Sequence, residues 1–128
     1  MEVLLDTNAF LWWGTNDPKL SATARTIIAN PRNDIFFSIV SAWEIVIKAQ
    51  IGKLPLPEAP DTYIRDRIAH YGFKTLSIEM EDVLQIWQLP QHHNDPFDRL
   101  LIAQSKTYFL PILTADTKFP LYKIDVIW

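Results

Sequence analysis

The chain of 128 residues has no cysteine and only three glycines. Without cysteine it can form no disulfide, no thiolate zinc site and no cysteine nucleophile, and this weakly favours a reducing compartment. The sequence also lacks an apolar run long enough to span a membrane and an early segment with the pattern of a signal peptide. We therefore expect a cytoplasmic protein without a membrane segment.

Basic residues do not outnumber acidic residues either. Twelve lysines and arginines stand against 15 aspartates and glutamates, and the formal net charge is −3. This balance argues against a simple basic nucleic-acid binder, although neutralising four acids at one metal site would leave the remainder slightly positive. Hydrophobic residues make up 48 % of the chain, enough for the core of a single domain over residues 1–128.

Apolar runs alternate with helical patterns along the chain. The first run, Val3-Leu4-Leu5, leads directly into Asp6 and predicts a strand buried on both faces at the centre of a parallel sheet. Further strands are predicted at 35–38, 74–78, 111–114 and 125–128, and helices at 9–14, 21–28, 40–51, 61–71, 79–89 and 96–108. The alternation predicts an α/β fold with a mostly parallel sheet and right-handed crossovers.

Four acidic residues fall at similar places in this pattern. Asp6 ends the first strand, Glu44 lies early in the helix after the second strand, Asp98 opens the helix at 96–108, and Asp116 follows the fourth strand. In a parallel sheet these places meet at one rim, where the carboxylates repel one another unless a cation or protons neutralise them. Oxygen ligands suit Mg²⁺ or Mn²⁺, which favours metal-assisted hydrolysis of a phosphodiester.

Each acid also has a purely structural interpretation. Asp6 could begin an Asx-turn, and Asp116 could be a turn residue. Glu44 fits a capping box with Ser41 and an i,i+4 pair with Lys48. The four acids together favour a site more strongly than any one of them does.

The start of the helix at 96–108 leaves two acids to distinguish. Asp95 fits the N-cap position, Pro96 the first helical position and Asp98 the third, so this pattern alone favours structural roles for both acids. Helical geometry places Asp98 on the same flank as Ile102, beside the packed face.

Four segments of the sequence resemble PIN-domain ribonucleases, and more narrowly the VapC-type toxins of bacterial toxin–antitoxin pairs. They are residues 3–8, 38–44, 92–104 and 113–116, in the expected order over nearly the whole chain. The resemblance implies a three-layer PIN-like domain with helices flanking a central, mostly parallel sheet.

The resemblance also implies roles for individual residues. The acidic quartet would bind Mg²⁺ or Mn²⁺ and position water for endonucleolytic RNA cleavage: Asp6, Glu44, Asp98 and Asp116. Asp98 is preferred to Asp95 because the apolar run after it matches the family helix, so Asp95 is mainly a cap and a candidate outer ligand. Thr7, Asn8 and Thr114 would orient the carboxylates.

The implied partners are an RNA substrate, a small cognate antitoxin that covers the site, and a second copy of the chain in a homodimer. Transfer RNA and ribosomal RNA both stay open as substrates. Lys48 and Lys118 are weak candidates for contacts to RNA phosphate. Arg99 and Lys106 are expected on the solvated outer flank of their helix.

Histidines and tryptophans give further expectations. Adjacent His92 and His93 lack a third zinc ligand, so they are expected to be solvated loop residues, with a contact to RNA phosphate as the alternative. The helical pattern predicts Trp43 and Trp87 in the core. Two further neighbours, Trp12 and Trp13, cannot both face inward equally well, and one of them could line a contact surface.

Two competing functions remain at this stage. One is a non-catalytic PIN-like scaffold that binds RNA or protein. The other is a phosphatase-like α/β enzyme with Asp6 as nucleophile, although position 8 is Asn8 and not the second aspartate of one large phosphatase class.

Overall fold

The first strand occupies the centre of a five-stranded sheet in the computed structural model, which describes residues 1–128. The strands are β1 (Glu2–Leu5), β2 (Asp34–Ser38), β3 (Lys74–Leu76), β4 (Ile112–Leu113) and β5 (Val126–Ile127). Their order across the sheet is β3-β2-β1-β4-β5. Every neighbouring pair is parallel, so the predicted parallel sheet is confirmed.

Helices cover both faces of this sheet and confirm the predicted α/β class. They are α1 (Thr7–Gly14), α2 (Ala22–Ala29), α3 (Ile39–Gln50), α4 (Pro60–Tyr71), α5 (Met80–Gln85) and α6 (Pro96–Tyr108). Single 3₁₀ turns follow at Ile86–Gln88 and Phe119–Tyr122. A bilayer-spanning helix is absent, since no helical segment combines the length and the hydropathy that crossing would require.

The alternating side chains of β1 contribute to two separate cores. Val3 and Leu5 are fully buried in one cluster, which includes residues of α1, α2 and α4. Leu4 is fully buried in a second cluster, which is formed mainly by α6 and the chain around β4. A strand that is apolar on both faces therefore holds the three layers together.

The position of β1 also creates a crevice at the carboxyl end of the sheet. The chain leaves β1 toward β2 on one side and returns to β4 on the other, so the strand order reverses around β1. Ligands of open α/β sheets bind at such a reversal, beyond the carboxyl ends of the strands. Asp6 immediately follows β1 at this point.

Side-chain caps shift two helix starts from their predicted positions. Helix α1 begins at Thr7 and not at residue 9, because Asp6 is its N-cap and accepts a hydrogen bond from the Ala9 amide at 2.7 Å. Helix α3 begins after Ser38, whose hydroxyl accepts from the Val40 amide at 3.1 Å. Of the two structural interpretations of Glu44, the capping box with Ser41 is therefore wrong, since both residues lie inside the helix, whereas the pair with Lys48 is present.

A buried amide joins three of the helical segments near the sheet. Gln104 of α6 is fully buried. The Ser38 hydroxyl donates to Gln104 Oε1 at 2.5 Å, while Gln104 Nε2 donates to the Ser77 carbonyl at 3.0 Å and to Asp82 Oδ2 at 3.1 Å. These bonds fix the starts of α3 and α5 relative to α6, and they explain why a glutamine lies on the packed face of that helix.

The prediction that Trp43 and Trp87 lie in the core is wrong. Trp43 is 47 % exposed and Trp87 is 88 % exposed. In α3 the inward positions belong to other residues, including Glu44 and Ile45, so the tryptophan between Ala42 and Glu44 points outward. The neighbouring residues Trp12 and Trp13 are both half-buried. The Trp12 ring packs against Trp128, and the Trp13 ring packs against Tyr71.

Candidate active site

The four predicted acids lie at the carboxyl end of the sheet. Asp6 follows β1, Glu44 lies in α3, which follows β2, and Asp116 follows β4. Helix α6 runs back to the start of β4, so its first turn, with Asp98, lies at the same end. Besides burial, the negative charges of Asp95, Glu44, Asp116 and Asp6 raise the pKa of Asp98, so these carboxylates lie close enough to influence one another.

Asp6 is held rigidly at the centre of this group. It is only 7 % exposed, and its cap bond to Ala9 fixes one carboxylate oxygen. Burial raises its pKa to about 6, while interactions with the Thr114 side chain and the Ala9 amide partly oppose the increase. The charges of Glu44 and Asp116 add to the increase. Asp6 therefore combines a structural role with an energetically costly charge.

Asp98 is the acid whose charge is most disfavoured. Burial raises its pKa to about 8, with further contributions from the charges of Asp95, Glu44, Asp116 and Asp6. The helix itself is capped by Asp95, which accepts from the Asp98 amide at 2.9 Å, as the sequence predicts. The Asp98 carboxylate is thus free of the capping function.

Glu44 is buried and neutralised in part by its neighbours. The Thr7 hydroxyl donates to Glu44 Oε1 at 2.6 Å and lies 2.9 Å from Ser41 Oγ. Lys48 forms an ion pair with Glu44 Oε2. Burial lowers the pKa of Lys48, but its hydrogen bond to Glu44 and the nearby negative charges outweigh that effect and raise the pKa. Lys48 therefore acts on the carboxylate and is not a free basic group.

The fourth acid belongs to a tight turn after β4. The Asp116 amide donates to Thr114 Oγ1 at 3.0 Å, and Asp116 Oδ1 accepts from the Lys118 amide at 2.9 Å. The Lys118 side chain is exposed and forms no ion pair. Of the three predicted orienting residues, Thr7 and Thr114 contact the acids, whereas the exposed Asn8 makes no side-chain hydrogen bond.

A buried polar network beside Asp98 was missed from the sequence. The His93 side chain is 7 % exposed, and its Nε2 lies 3.2 Å from Asp98 Oδ2. Its Nδ1 lies 2.6 Å from the Tyr122 hydroxyl, which also accepts from Arg99 Nη1 at 3.0 Å. Burial lowers the pKa of His93. The expectation of a solvated His93 is therefore wrong, whereas His92 is exposed.

The expected position of Arg99 on the outer flank of α6 is also wrong. Arg99 is 7 % exposed, and its guanidinium donates to the Pro90 carbonyl at 2.8 Å as well as to Tyr122. In the sequence, the only feature that set Arg99 apart was its position directly after the candidate ligand Asp98. Helix periodicity did not reveal its burial, because the groups that cover it come from the preceding loop and from the 3₁₀ turn at Phe119–Tyr122.

The chemistry of this donor set fits a hard divalent cation. Four carboxylates converge here, and burial together with the charges of neighbouring acids raises the pKa values of Asp6 and Asp98, so a nearby cation would stabilise their ionised forms. No three acidic or histidine side chains form a preassembled metal cage. Mg²⁺ needs no such cage, because it keeps several waters and uses one or two carboxylates together with substrate phosphate.

Comparison with known proteins agrees with this architecture. Residues 3–125 match the model of the PIN domain family. The chain is similar to Ribonuclease VapC16 of Mycobacterium tuberculosis, with 42 % identity over 66 residues, which cover 48 % of this chain and 47 % of that protein. This match spans about half the length of that curated relative.

Solved structures share the fold over the whole chain. VapBC2 from Rickettsia felis, bound to a promoter DNA fragment, has a TM-score of 0.71 at 13 % identity and covers 99 % of this chain and 98 % of that chain. DNA-bound VapBC from Salmonella typhimurium has a TM-score of 0.71 at 15 % identity and covers 99 % and 97 %. With the family match over residues 3–125, these findings show that the chain belongs to the PIN domain family.

Proposed function

We propose that the protein is a metal-dependent endoribonuclease of the VapC type, the toxin of a toxin–antitoxin pair. The observation that carries the proposal is the convergence of four carboxylates at the switch point of the sheet, with the pKa of Asp98 raised to about 8. The partial match to a curated ribonuclease supports RNA as the substrate, with transfer RNA and ribosomal RNA both open. We further propose that residues 1–128 form a single PIN domain that acts in the cytoplasm.

In this proposal the carboxylates of Asp6, Glu44, Asp98 and Asp116 hold Mg²⁺ or Mn²⁺, with Asp95 as an outer ligand. When bound, the metal lowers the pKa of a water molecule and neutralises charge on the scissile phosphate. Thr7 holds Glu44 by its hydrogen bond, and Thr114 contacts both Asp6 and the Asp116 turn. The exposed Asn8 would act only through water or RNA.

The proposed partners are a small antitoxin and a second copy of this chain. One structure that shares the fold, with a TM-score of 0.63, is a toxin–antitoxin complex, which supports an antitoxin. Exposed apolar side chains on α3 lie beside the acids, where a bound antitoxin would cover the site: Ile39, Trp43, Val46 and Ile47. A second apolar patch on α5 and its following turn is proposed as the homodimer contact: Met80, Val83, Leu84 and Trp87.

The first test is cleavage of RNA. With Mg²⁺, wild type should cut RNA, and Asp6→Asn or Asp98→Asn should lower the rate at least about a hundredfold, because charge stabilisation of several kcal/mol is lost. Sequencing of RNA ends measures the cuts. Asp66→Asn, which removes an exposed acid of α4, is the matched control. Absence of Mg²⁺-dependent cuts by wild type would favour a binding scaffold, and a trapped phosphate on Asp6 would favour the phosphatase-like alternative.

The second test uses the pH dependence of stability without metal. The pKa of Asp98 is about 8 in the folded chain against 3.8 for the unperturbed group, so the folded state binds the extra proton between these values. The free energy of unfolding should therefore fall as pH rises from about 4 to about 8. Asp98→Asn lacks this titration, so its free energy of unfolding should rise relative to that of wild type by roughly 1–3 kcal/mol between pH 4 and pH 8. This range is smaller than the full effect of the pKa shift because solvent screens part of it.

Urea unfolding at pH 4, 6 and 8 measures this difference, with Asp66→Asn expected to follow wild type. At pH 8, Mg²⁺ at a hundred times its dissociation constant should stabilise wild type by about 2.7 kcal/mol, and Asp98→Asn by much less. A variant that is less stable than wild type at every pH would instead assign Asp98 a capping role.

The third test concerns RNA phosphate. We propose that Lys118 contacts the backbone, because its ammonium is exposed and close enough to influence His93, whereas Lys48 is paired with Glu44. In an Asp6→Asn background, Lys118→Gln should weaken RNA binding and reduce the slope of log affinity against log salt by about 0.7. Lys74→Gln, which removes an ammonium paired with Asp34 at the opposite end of the sheet, is the control. Equal slopes would exclude the contact.

The fourth test concerns the homodimer. Trp87→Ser should convert a dimer into a monomer in sedimentation equilibrium and leave that monomer folded by circular dichroism, because an 88 % exposed side chain adds little to the core. Phe109→Asn is the control, since it removes a 91 % exposed ring at a left-handed residue that asparagine tolerates. A dimer that survives Trp87→Ser would place the contact elsewhere.

A further inference from the structure

A chain of buried polar groups ends on one oxygen of Asp98. Arg99 Nη1 donates to the Tyr122 hydroxyl at 3.0 Å, that hydroxyl lies 2.6 Å from His93 Nδ1, and His93 Nε2 lies 3.2 Å from Asp98 Oδ2. We call these three residues the Arg99–Tyr122–His93 chain. None of them is an acid of the proposed site.

The positions of the protons follow from the donors that are present. Arginine can only donate, and the Tyr122 oxygen also accepts from the His93 amide at 3.2 Å. With both lone pairs of the oxygen occupied, the single phenolic proton is directed at His93 Nδ1. That nitrogen is then the acceptor, so a neutral ring carries its proton on Nε2 and donates it to Asp98 Oδ2.

One oxygen of Asp98 is therefore occupied and the other is not. Asp98 Oδ2 accepts from His93, whereas Asp98 Oδ1 has no hydrogen bond in the protein. The Asp98 carboxylate is repelled by the four neighbouring acids, and a fixed donor on one of its oxygens opposes rotation away from them.

Arg99 is the rigid end of the Arg99–Tyr122–His93 chain. Its guanidinium is buried, is bound to the Pro90 carbonyl at 2.8 Å and forms no ion pair with a carboxylate. The positive charge lies behind the Tyr122 hydroxyl and makes that hydroxyl a stronger donor to His93. The hydrogen bonds of the Arg99–Tyr122–His93 chain are consequently polarised toward Asp98.

We propose that His93 is a positioning residue, locked by Arg99 and Tyr122 as the Nε2–H tautomer, that holds Asp98 Oδ2 and leaves Oδ1 to bind the metal ion. This inference rests on the proposed function, because it assigns Asp98 as a ligand. It adds a residue outside the acidic quartet and specifies which oxygen of Asp98 is used.

The tautomer is tested by long-range ¹H–¹⁵N correlation spectra of the histidine rings in the metal-free protein at pH 7.5. The His93 signals, assigned by their loss in His93→Gln, should show a protonated Nε2 and an unprotonated Nδ1. Tyr122→Phe should shift the ring toward a mixture of tautomers. His92→Gln is the matched control, since exposed His92 touches the Tyr122 ring only by its edge, at 4.9 Å between centroids. A His93 protonated on Nδ1 in wild type overturns the proposal.

The consequence for the metal is tested by Mn²⁺ binding, followed through the spin-resonance signal of free Mn²⁺. Loss of a group that orients a ligand weakens metal binding by about tenfold or more, so His93→Leu should show this loss. His93→Gln restores a donor and should recover part of the affinity, whereas a merely structural role predicts no such rescue. Tyr122→Phe should weaken binding, and His92→Gln should not.

The outcomes separate this inference from the proposed function. If wild type binds Mn²⁺ and cleaves RNA while folded His93→Leu and Tyr122→Phe bind Mn²⁺ equally well, the positioning role is wrong and the nuclease proposal stands. If wild type itself binds no Mn²⁺, the proposed metal site is wrong. Should His93→Leu fail to fold, the ring spectra and Tyr122→Phe decide the question.

Discussion

Repulsion between carboxylates is the constraint on which the rest of the site depends. The fold brings Asp6, Glu44, Asp98 and Asp116 to one end of a sheet, where burial further disfavours the charges of Asp6 and Asp98. A hydrophobic core would gain nothing from this arrangement. The free energy to maintain it comes from elsewhere, above all from the apolar faces of β1, which are buried in both cores. Stability and site are thus linked through one strand that ends in an acid.

The protein reduces this repulsion with neutral and cationic groups at particular oxygens. Thr7 and Lys48 bind the two oxygens of Glu44, and His93 lies against one oxygen of Asp98. Asp6 and Asp98 also lie at the amino ends of α1 and α6, where the helix dipole favours negative charge. These contacts are insufficient to bring the pKa of Asp98 back to its ordinary value. The remaining charge is what a divalent cation would neutralise.

Features that depend on neighbouring residues in the sequence were predictable. The parallel sheet followed from apolar runs, the start of α6 followed from Asp95 and Pro96, and the convergence of the acids followed from their places after strands and at the start of α6. Features that depend on distant parts of the chain were not. Arg99 is buried by a loop and a 3₁₀ turn that helix periodicity does not describe, and Trp43 points outward because Glu44 takes the inward position beside it.

Residues with two roles explain why single-residue interpretations were inconclusive. From the sequence, Asp6 could be interpreted either as an Asx-type turn residue or as a metal ligand. In the structure one of its oxygens caps α1, and the carboxylate still lies among the clustered acids. At the start of α6 the two roles are divided, since Asp95 caps the helix while the Asp98 side chain turns to His93. A helix start therefore supplies a rigid frame and an acid at once. Because helix starts serve both purposes, a chain of 128 residues can place four carboxylates from four separate segments close together.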